Sequence, residues 1–260
     1  LALEKLGIKV LYYIPHRYNE GYGLNEEAIK KISEDNVNLI ITVDCGTSNV
    51  KEIEFANSLG IDVIVTDHHN LPKKLPEAFE IVNPKMIERE HPSRYLAGAG
   101  VAFKFIWALF KSAGVNNSEP VKEFLDLAAL GTVADVVPLI GENRTITVSG
   151  IKALKNNKRV GIKRLFESAG ISNEVTTQTI SYMLAPRLNA PGRLHHADLS
   201  MKLILEKNPV KAQYFAEEIN RINRERQQIG NLIGEDAYSM MENVEEKKLI
   251  FLRTCQEKKY

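Results

Sequence analysis

Leu39-Ile40-Ile41-Thr42-Val43-Asp44 and, after a helix-length interval, Ile61-Asp62-Val63-Ile64-Val65-Thr66-Asp67-His68-His69 decide how this chain is read. Each is a short apolar run of the kind buried on both faces of a parallel sheet, and each ends in an aspartate. Residues 50–58 between them have helical spacing. Strand 39–43, helix 50–58 and strand 61–65 therefore read as a right-handed crossover unit. Open α/β sheets gather ligands beyond the carboxyl ends of their strands, where Asp44 and the Asp67-His68-His69 cluster fall.

Upstream, Leu1 to Leu6 read as the last turns of a helix, Ile8 to Ile14 as a strand stopped by Pro15, and His16 to Gly23 as a polar loop. Asn25-Glu26-Glu27 starts a helix reaching about Ser33. Downstream, Pro72, Pro76 and Pro84 leave room for a short strand at Phe79–Val82, and Leu96–Ala113 is apolar enough for a buried helix. Another helix is expected over Pro120–Leu130, ending before Gly131-Thr132-Val133-Ala134-Asp135. Short helices fit 149–155, 161–168, 174–184 and 197–206. Beyond Pro209, Phe215, Ile219, Ile222, Ile229, Ile233 and Met240 recur at the spacing of one long helix. Leu249–Leu252 looks like the first strand of another unit.

The expected fold is α/β, a parallel sheet of the five-stranded type flanked by helices, then a helical segment and a long connecting helix. Its expected divisions are a catalytic α/β domain at 1–150, a helical extension at 151–208 carrying an Arg187–Arg193 loop, the connecting helix at 209–243, and the start of a second domain at 244–260.

The 260 residues are 44% hydrophobic and 26% charged, a globular composition with no tract long and apolar enough for a bilayer span. Membrane association is not expected. Cys45 and Cys255 stand far apart and suggest neither a disulfide framework nor a zinc–thiolate site. No secretory pattern is visible, so the cytoplasm is the expected compartment. A formal charge of +1 neither demands nor excludes nucleic acid.

A divalent cation needs ligands from several backbone elements, and Asp44, Asp67 and His68 meet that need if their strands are neighbours. Mixed oxygen and nitrogen donors suit manganese or magnesium better than a thiolate-selective ion. His69 adds a second imidazole, and Asp135 is a lone acid leading into Val136-Val137-Pro138-Leu139. Plainer roles stay open: Asp44 could cap the helix after Gly46, and Asp135 could be a capping or turn residue. Two cations held by this set would hydrolyse a phosphate ester through an activated water, with whichever histidine is not a ligand free to protonate the leaving oxygen.

In Ala185-Pro186-Arg187-Leu188-Asn189-Ala190-Pro191-Gly192-Arg193-Leu194-His195-His196, Arg187 and Arg193 could fork onto phosphate oxygens while Asn189 and His195 orient a sugar-phosphate. The alternative is a proline-stiffened turn with solvated arginines. The Gly46-Thr47-Ser48 turn could cap a helix, approach phosphate or support Asp44, and Arg17, Asn19 and Tyr22 could line a nucleic-acid path. Arg221, Arg224 and Arg226 could touch a phosphate backbone, but Glu217, Glu218 and Glu225 favour a solvent-facing ion-pair network.

Four ordered motifs then give a resemblance: Val43-Asp44-Cys45-Gly46, Thr66-Asp67-His68-His69, Leu130-Gly131-Thr132-Val133-Ala134-Asp135-Val136-Val137-Pro138-Leu139 and Pro186-Arg187-Leu188-Asn189-Ala190-Pro191-Gly192-Arg193-Leu194. Over roughly residues 1–240 the chain resembles the DHH phosphoesterase superfamily, in particular its single-stranded-DNA exonucleases. The Tyr12–Leu24 segment supports that branch. The resemblance implies a nuclease that degrades single-stranded DNA from its 5′ end during recombination and repair, using two manganese or magnesium ions.

By the same resemblance Asp44, Asp67, His68 and Asp135 belong to the metal centre and His69 to the catalytic cluster. Arg187, Asn189, Arg193 and His195 engage the substrate. No residue can be assigned to the acidic Asp-x-Asp motif that opens the catalytic domain in that family, so weak or absent turnover by these residues alone is expected. The rival readings are a phosphodiesterase of the same superfamily acting on short oligonucleotides or cyclic dinucleotides, and a non-catalytic module binding nucleic acid or protein.

Overall fold

Alternation of buried and open positions sets up a parallel sheet, and the computed structural model describes it within residues 1–17, 19–115, 117–156, 159–171 and 174–241. After a short helix α1 (Ala2–Lys5), α2 (Glu26–Glu34) begins at Asn25, whose side-chain oxygen accepts from Ala28 N at 2.7 Å. Strand β1 (Leu39–Val43), helix α3 (Val50–Ser58) and strand β2 (Asp62–Thr66) form the crossover, and β3 (Glu80–Val82) completes the order β1-β2-β3. Both pairings are parallel, with Val43 opposite Thr66 and Thr66 opposite Val82.

Both sheet faces are covered. Ile40, Val63 and Val65 pack with Ile29 of α2 and Ile53 of α3, joined by Ile81. Val82, next along β3 and so on the opposite face, packs with Leu96, Val101 and Phe103. The last two belong to α4 (Gly98–Ser112), which also packs on β1 and β2. A short α5 (Glu119–Lys122) precedes α6 (Leu125–Ala134) and α7 (Gly141–Asn156). Helix α6 is apolar on nearly every side, as a helix packed between α4 and α7 must be.

Two compact units emerge, Leu1–Lys158 with Ile171–Ala185, and Arg159–Gly170 with Pro186 onward. The second contains α8 (Val160–Ser168), nearly all of α9 (Ala185–Leu194), α10 (Asp198–Leu205) and α11 (Pro209–Met241). Ala212, Ala216, Ile219 and Ile222 form the buried stripe of α11, which packs on α8 and α10. Of the residues expected to line that helix, Ile219 and Ile222 are buried, Phe215, Ile229 and Ile233 half-buried and Met240 exposed. Among the described residues no helix is long and apolar enough to cross a membrane.

Four expectations change. The sheet has three strands among the described residues, not five. Ile8–Ile14 pairs with no strand among the described residues, and Ile8, Leu11, Tyr12 and Tyr13 are exposed; an apolar run needs a partner ladder to be a strand. The helix expected to stop at Leu130 runs on to Ala134, because Gly131 serves a contact rather than a stop. A Cβ there would collide with Ala99 of α4. The expected Arg187–Arg193 loop is helix α9, entered through a π-helical segment at Thr179–Leu184, with Pro191 inside it at the cost of one backbone hydrogen bond. The expected strand at 249–252 and domain start at 244–260 lie outside the described residues.

Candidate metal centre

Register builds this site. Asp44, Asp67 and Asn83 are the residues that follow Val43, Thr66 and Val82, which are level with one another across the three strands. Asp44 N donates to Thr66 O at 2.9 Å and Asp67 N to Val82 O at 3.1 Å, so both ladders extend one residue past the last strand position. Asp44 then turns with φ of 64°, a left-handed conformation that aspartate tolerates better than most residues. It caps no helix after Gly46, since the N-cap of α3 is Asn49.

Instead the Asp44 carboxylate lies against the start of α4. A Cβ on Gly98 would stand 2.5 Å from Asp44 Cγ and 2.7 Å from Asp44 Cβ, so only glycine admits the acid there. The positive end of the α4 dipole is a favourable neighbour for a carboxylate.

Asp67 is 2% exposed and its oxygens are engaged. Oδ2 accepts from Thr47 N at 3.0 Å, and Oδ1 accepts from His68 N at 2.7 Å and His69 N at 3.2 Å. Oδ1 also meets His69 Nδ1 at 2.7 Å. Burial alone would raise its pKa, but hydrogen bonds from Thr47 and His69 prevail and hold it at about 2. The Gly46-Thr47-Ser48 turn thus supports Asp67 rather than Asp44.

Asn83 ties the three strand ends together. Its Nδ2 donates to Thr47 Oγ1 and to His69 O, each at 3.0 Å, and its Oδ1 accepts from Lys85 N at 2.8 Å.

Asp135 comes from the other direction, as the C-cap of α6. An acid at a helix C-terminus faces the negative end of the dipole, so helix stability does not explain it. The next residue, Val136, has φ of 59°, a conformation a β-branched side chain rarely adopts. Burial first, and then repulsion from Asp44, raise the Asp135 pKa against the opposing pull of His68.

His68 receives both acids. Its Nε2 is 3.0 Å from Asp44 Oδ1 and 3.3 Å from Asp135 Oδ2. Contact with Asp44 foremost, aided by the charges of Asp135 and Asp67, raises the imidazole pKa although burial opposes it. Yet His68 Nε2 and Asp44 Oδ1 are both shielded from solvent without a properly directed hydrogen bond. Proximity therefore gives electrostatic contact and leaves two buried polar atoms unsatisfied, a state that a bound cation relieves. One ligand atom each from Asp44, His68 and His69 falls within a span of 4.8 Å. Carboxylate oxygen with imidazole nitrogen fits a divalent cation such as manganese.

Tyr22 donates from its hydroxyl to Asp44 O at 2.7 Å and meets the His69 ring edge-on at 6.4 Å. Burial and the nearby acids push that hydroxyl up to about 12. Burial, Asp67 and Asp44 push the Cys45 thiol up to about 11, so at neutral pH it is a thiol and not a thiolate.

The second constellation lies in the other unit. Asn189 and Arg193 are exposed one turn apart on α9, and His195 follows the end of that helix, its N–H donating to Pro191 O at 2.8 Å. Arg187 is half-buried on a different side of α9. Its Nε donates to Asn220 Oδ1 at 3.1 Å, and Asn220 Nδ2 donates to Ser168 O at 3.1 Å. Burial and the nearby Arg224 lower its pKa, and guanidinium stays charged regardless. Arg221 pairs with Glu218 at 2.6 Å and Glu225 at 3.3 Å, the solvent-facing network its sequence suggested.

Sequence reasoning missed Gly98 and Asn83. A trace of each was available: glycine opens an apolar helix at 98, and Asn83, like Asp44 and Asp67, is a polar residue directly after an apolar run.

Residues 1–132 match the family described as DHH family, N-terminal domain. The chain is 43% identical over 242 residues to the single-stranded-DNA-specific exonuclease RecJ of Bacillus subtilis (strain 168), a match covering 93% of this chain and 30% of that protein. The crystal structure of exonuclease RecJ bound to manganese superposes with a TM-score of 0.83 at 35% identity, covering 92% of this chain and 60% of that one. RecJ of Thermus thermophilus in complex with Mn2+ gives 0.77 at 34% identity, with 89% and 33% covered.

Proposed function

The chain belongs to the DHH family and is related to the bacterial RecJ exonucleases, and on that basis we propose that it is the catalytic core of a metal-dependent nuclease. It removes nucleotides from the 5′ end of single-stranded DNA, in recombination and repair in the cytoplasm. The observation that carries this reading is the shielded, unsatisfied pair His68 Nε2 and Asp44 Oδ1, 3.0 Å apart where acids from remote parts of the chain converge.

Asp44, Asp67, His68 and Asp135 would hold manganese or magnesium, two ions in the complete site. When bound, such ions supply an activated water and neutralise the charge of the phosphodiester. Gly98 and Tyr22 fix Asp44 in place, and Asn83 fixes the backbone of His69. Asp67, by engaging His69 Nδ1, leaves Nε2 as the ring atom from which a proton passes to the departing sugar oxygen. Asn189, Arg193, His195 and Arg187 are assigned to phosphate and sugar contacts, which position a strand without reading its sequence.

The test, in a full chain that also carries the acidic Asp-x-Asp motif, is release of mononucleotides from a long 5′-phosphorylated single strand in the presence of Mn2+, measured beside hydrolysis of a dinucleotide. His68→Ala should lower release by about a hundredfold or more while DNA binding persists. Unchanged release by His68→Ala, or hydrolysis confined to the dinucleotide, overturns the reading.

A further inference from the structure

One hollow lies away from the metal cluster. It has a volume of about 390 Å³ and opens between α4, α5, α6 and α7. Its apolar lining comes from Phe103, Trp107, Val121, Leu125 and Ile146. Trp107 is the only tryptophan of the chain, and 44% of it is exposed. A core-forming tryptophan would be sequestered; this one presents its indole to solvent beside a second hollow of about 220 Å³ that it also lines.

The charges around it are cationic in balance. Lys104 and Lys122 line the first hollow, paired with Glu142 at 2.7 Å and Glu119 at 2.6 Å, and Lys111 lines the second, so three lysines face two acids. Lys104 Nζ is 2.7 Å from Glu142 and 5.9 Å from the centre of the Trp107 ring, so Glu142 holds that ammonium beside the aromatic surface. Phe103 packs edge-on against Trp107 at 5.9 Å and backs the indole with a rigid wall. An exposed aromatic set among lysines is the chemistry that holds single-stranded nucleic acid, with a base stacked on the ring and the cations against neighbouring phosphates.

We propose that the Trp107 hollow is an anchoring site for single-stranded DNA, separate from the metal cluster, in which one base stacks on Trp107 and Lys104, Lys111 and Lys122 meet the adjoining phosphates. The choice of DNA rests on the nuclease reading given above. Gly98, against which Asp44 lies, opens the same helix nine residues before Trp107, about 13.5 Å along its axis. The helix that places a metal ligand therefore also carries the anchor, and a strand held at one point is presented to the other.

A lone tryptophan makes the test direct. The purified protein is titrated with oligo(dT) in EDTA, so that no turnover occurs, and indole fluorescence is followed. Quenching should saturate, weaken as salt rises, and require at least about fivefold more DNA in Lys111→Glu/Lys122→Glu, whose indole is intact. Trp107→Ala, followed by anisotropy of a labelled strand, should bind about fivefold or more weakly, and Trp107→Phe less so.

His68→Ala should quench like the wild type, which separates this site from the metal centre. Cleavage without quenching overturns the anchor and leaves the nuclease reading standing; saturable quenching supports the anchor whether or not these residues alone turn DNA over. Quenching by thymidine monophosphate as strong as by the oligomer would mean a free-nucleotide site and would also overturn it.

Discussion

Replacing Gly98 with alanine puts the placement of Asp44 to a quantitative test. The new methyl would stand 2.5 Å from Asp44 Cγ and 2.7 Å from Asp44 Cβ, where carbon atoms rest at about 3.5 Å. Something must move by about 1 Å. Asp44 Cβ moves only with its backbone, which is held by its N–H on Thr66 O and by Tyr22 on its carbonyl, so the shift is divided between the start of α4 and the Asp44 carboxylate. A ligand displaced by part of that distance should weaken cation binding about tenfold to a hundredfold, roughly 1.4–2.7 kcal/mol. In the first turn of α4 alanine is favoured over glycine by up to about 1 kcal/mol, which offsets part of the steric strain. The melting temperature of the metal-free protein should therefore change by only a few degrees. Calorimetric titration with Mn2+ and a thermal melt read the two quantities. If Gly98→Ala binds Mn2+ as tightly as the wild type, Asp44 is not a ligand in the position described, and the account of α4 as its support fails.

Val136→Gly should relieve a left-handed β-branched residue, worth about 1–3 kcal/mol, against about 0.5–1 kcal/mol for the extra freedom of glycine. Urea unfolding should show a net gain of about 1 kcal/mol while Mn2+ affinity falls with the loosened Asp135; a loss of stability would contradict the strain argument. Glu142 is held below its ordinary pKa, since burial is outweighed by hydrogen bonds from Lys104 and Ser93. A depressed carboxylate stabilises the fold above its unfolded pKa, and that contribution disappears as pH falls through the folded value. Urea midpoints measured from neutral pH down through the carboxylate range should fall less steeply for Glu142→Gln than for the wild type, and parallel curves would refute the coupling.

Much of the centre was legible because the relevant signals are local. A β-branched run ending in aspartate marks a strand and its carboxyl end, and two such runs a helix apart suggest neighbouring strands, so Asp44 and Asp67 could be placed before any contact was known. Partnership is not local. Ile8–Ile14 has a strand's composition but pairs with no strand among the described residues, and Pro186 and Pro191 signal a loop although α9 tolerates both. Gly98 matters only because Asp44 lies against it, and Asn83 only because Thr47 and His69 come within its reach. The contact by which buried Asp67 holds His69 Nδ1 at 2.7 Å depends on side-chain directions that no spacing rule encodes.

His68 meets an acid that follows β1 and another that follows α6, far apart along the chain. No fragment of the folding polypeptide short of α6 possesses the full set. If these acids hold a cation as proposed, its affinity is a readout of completed folding: a molecule whose α6 has frayed would lose its grip on the ion before its sheet comes apart. Free ion in the surroundings would in turn bias the population toward chains whose helices are fully docked.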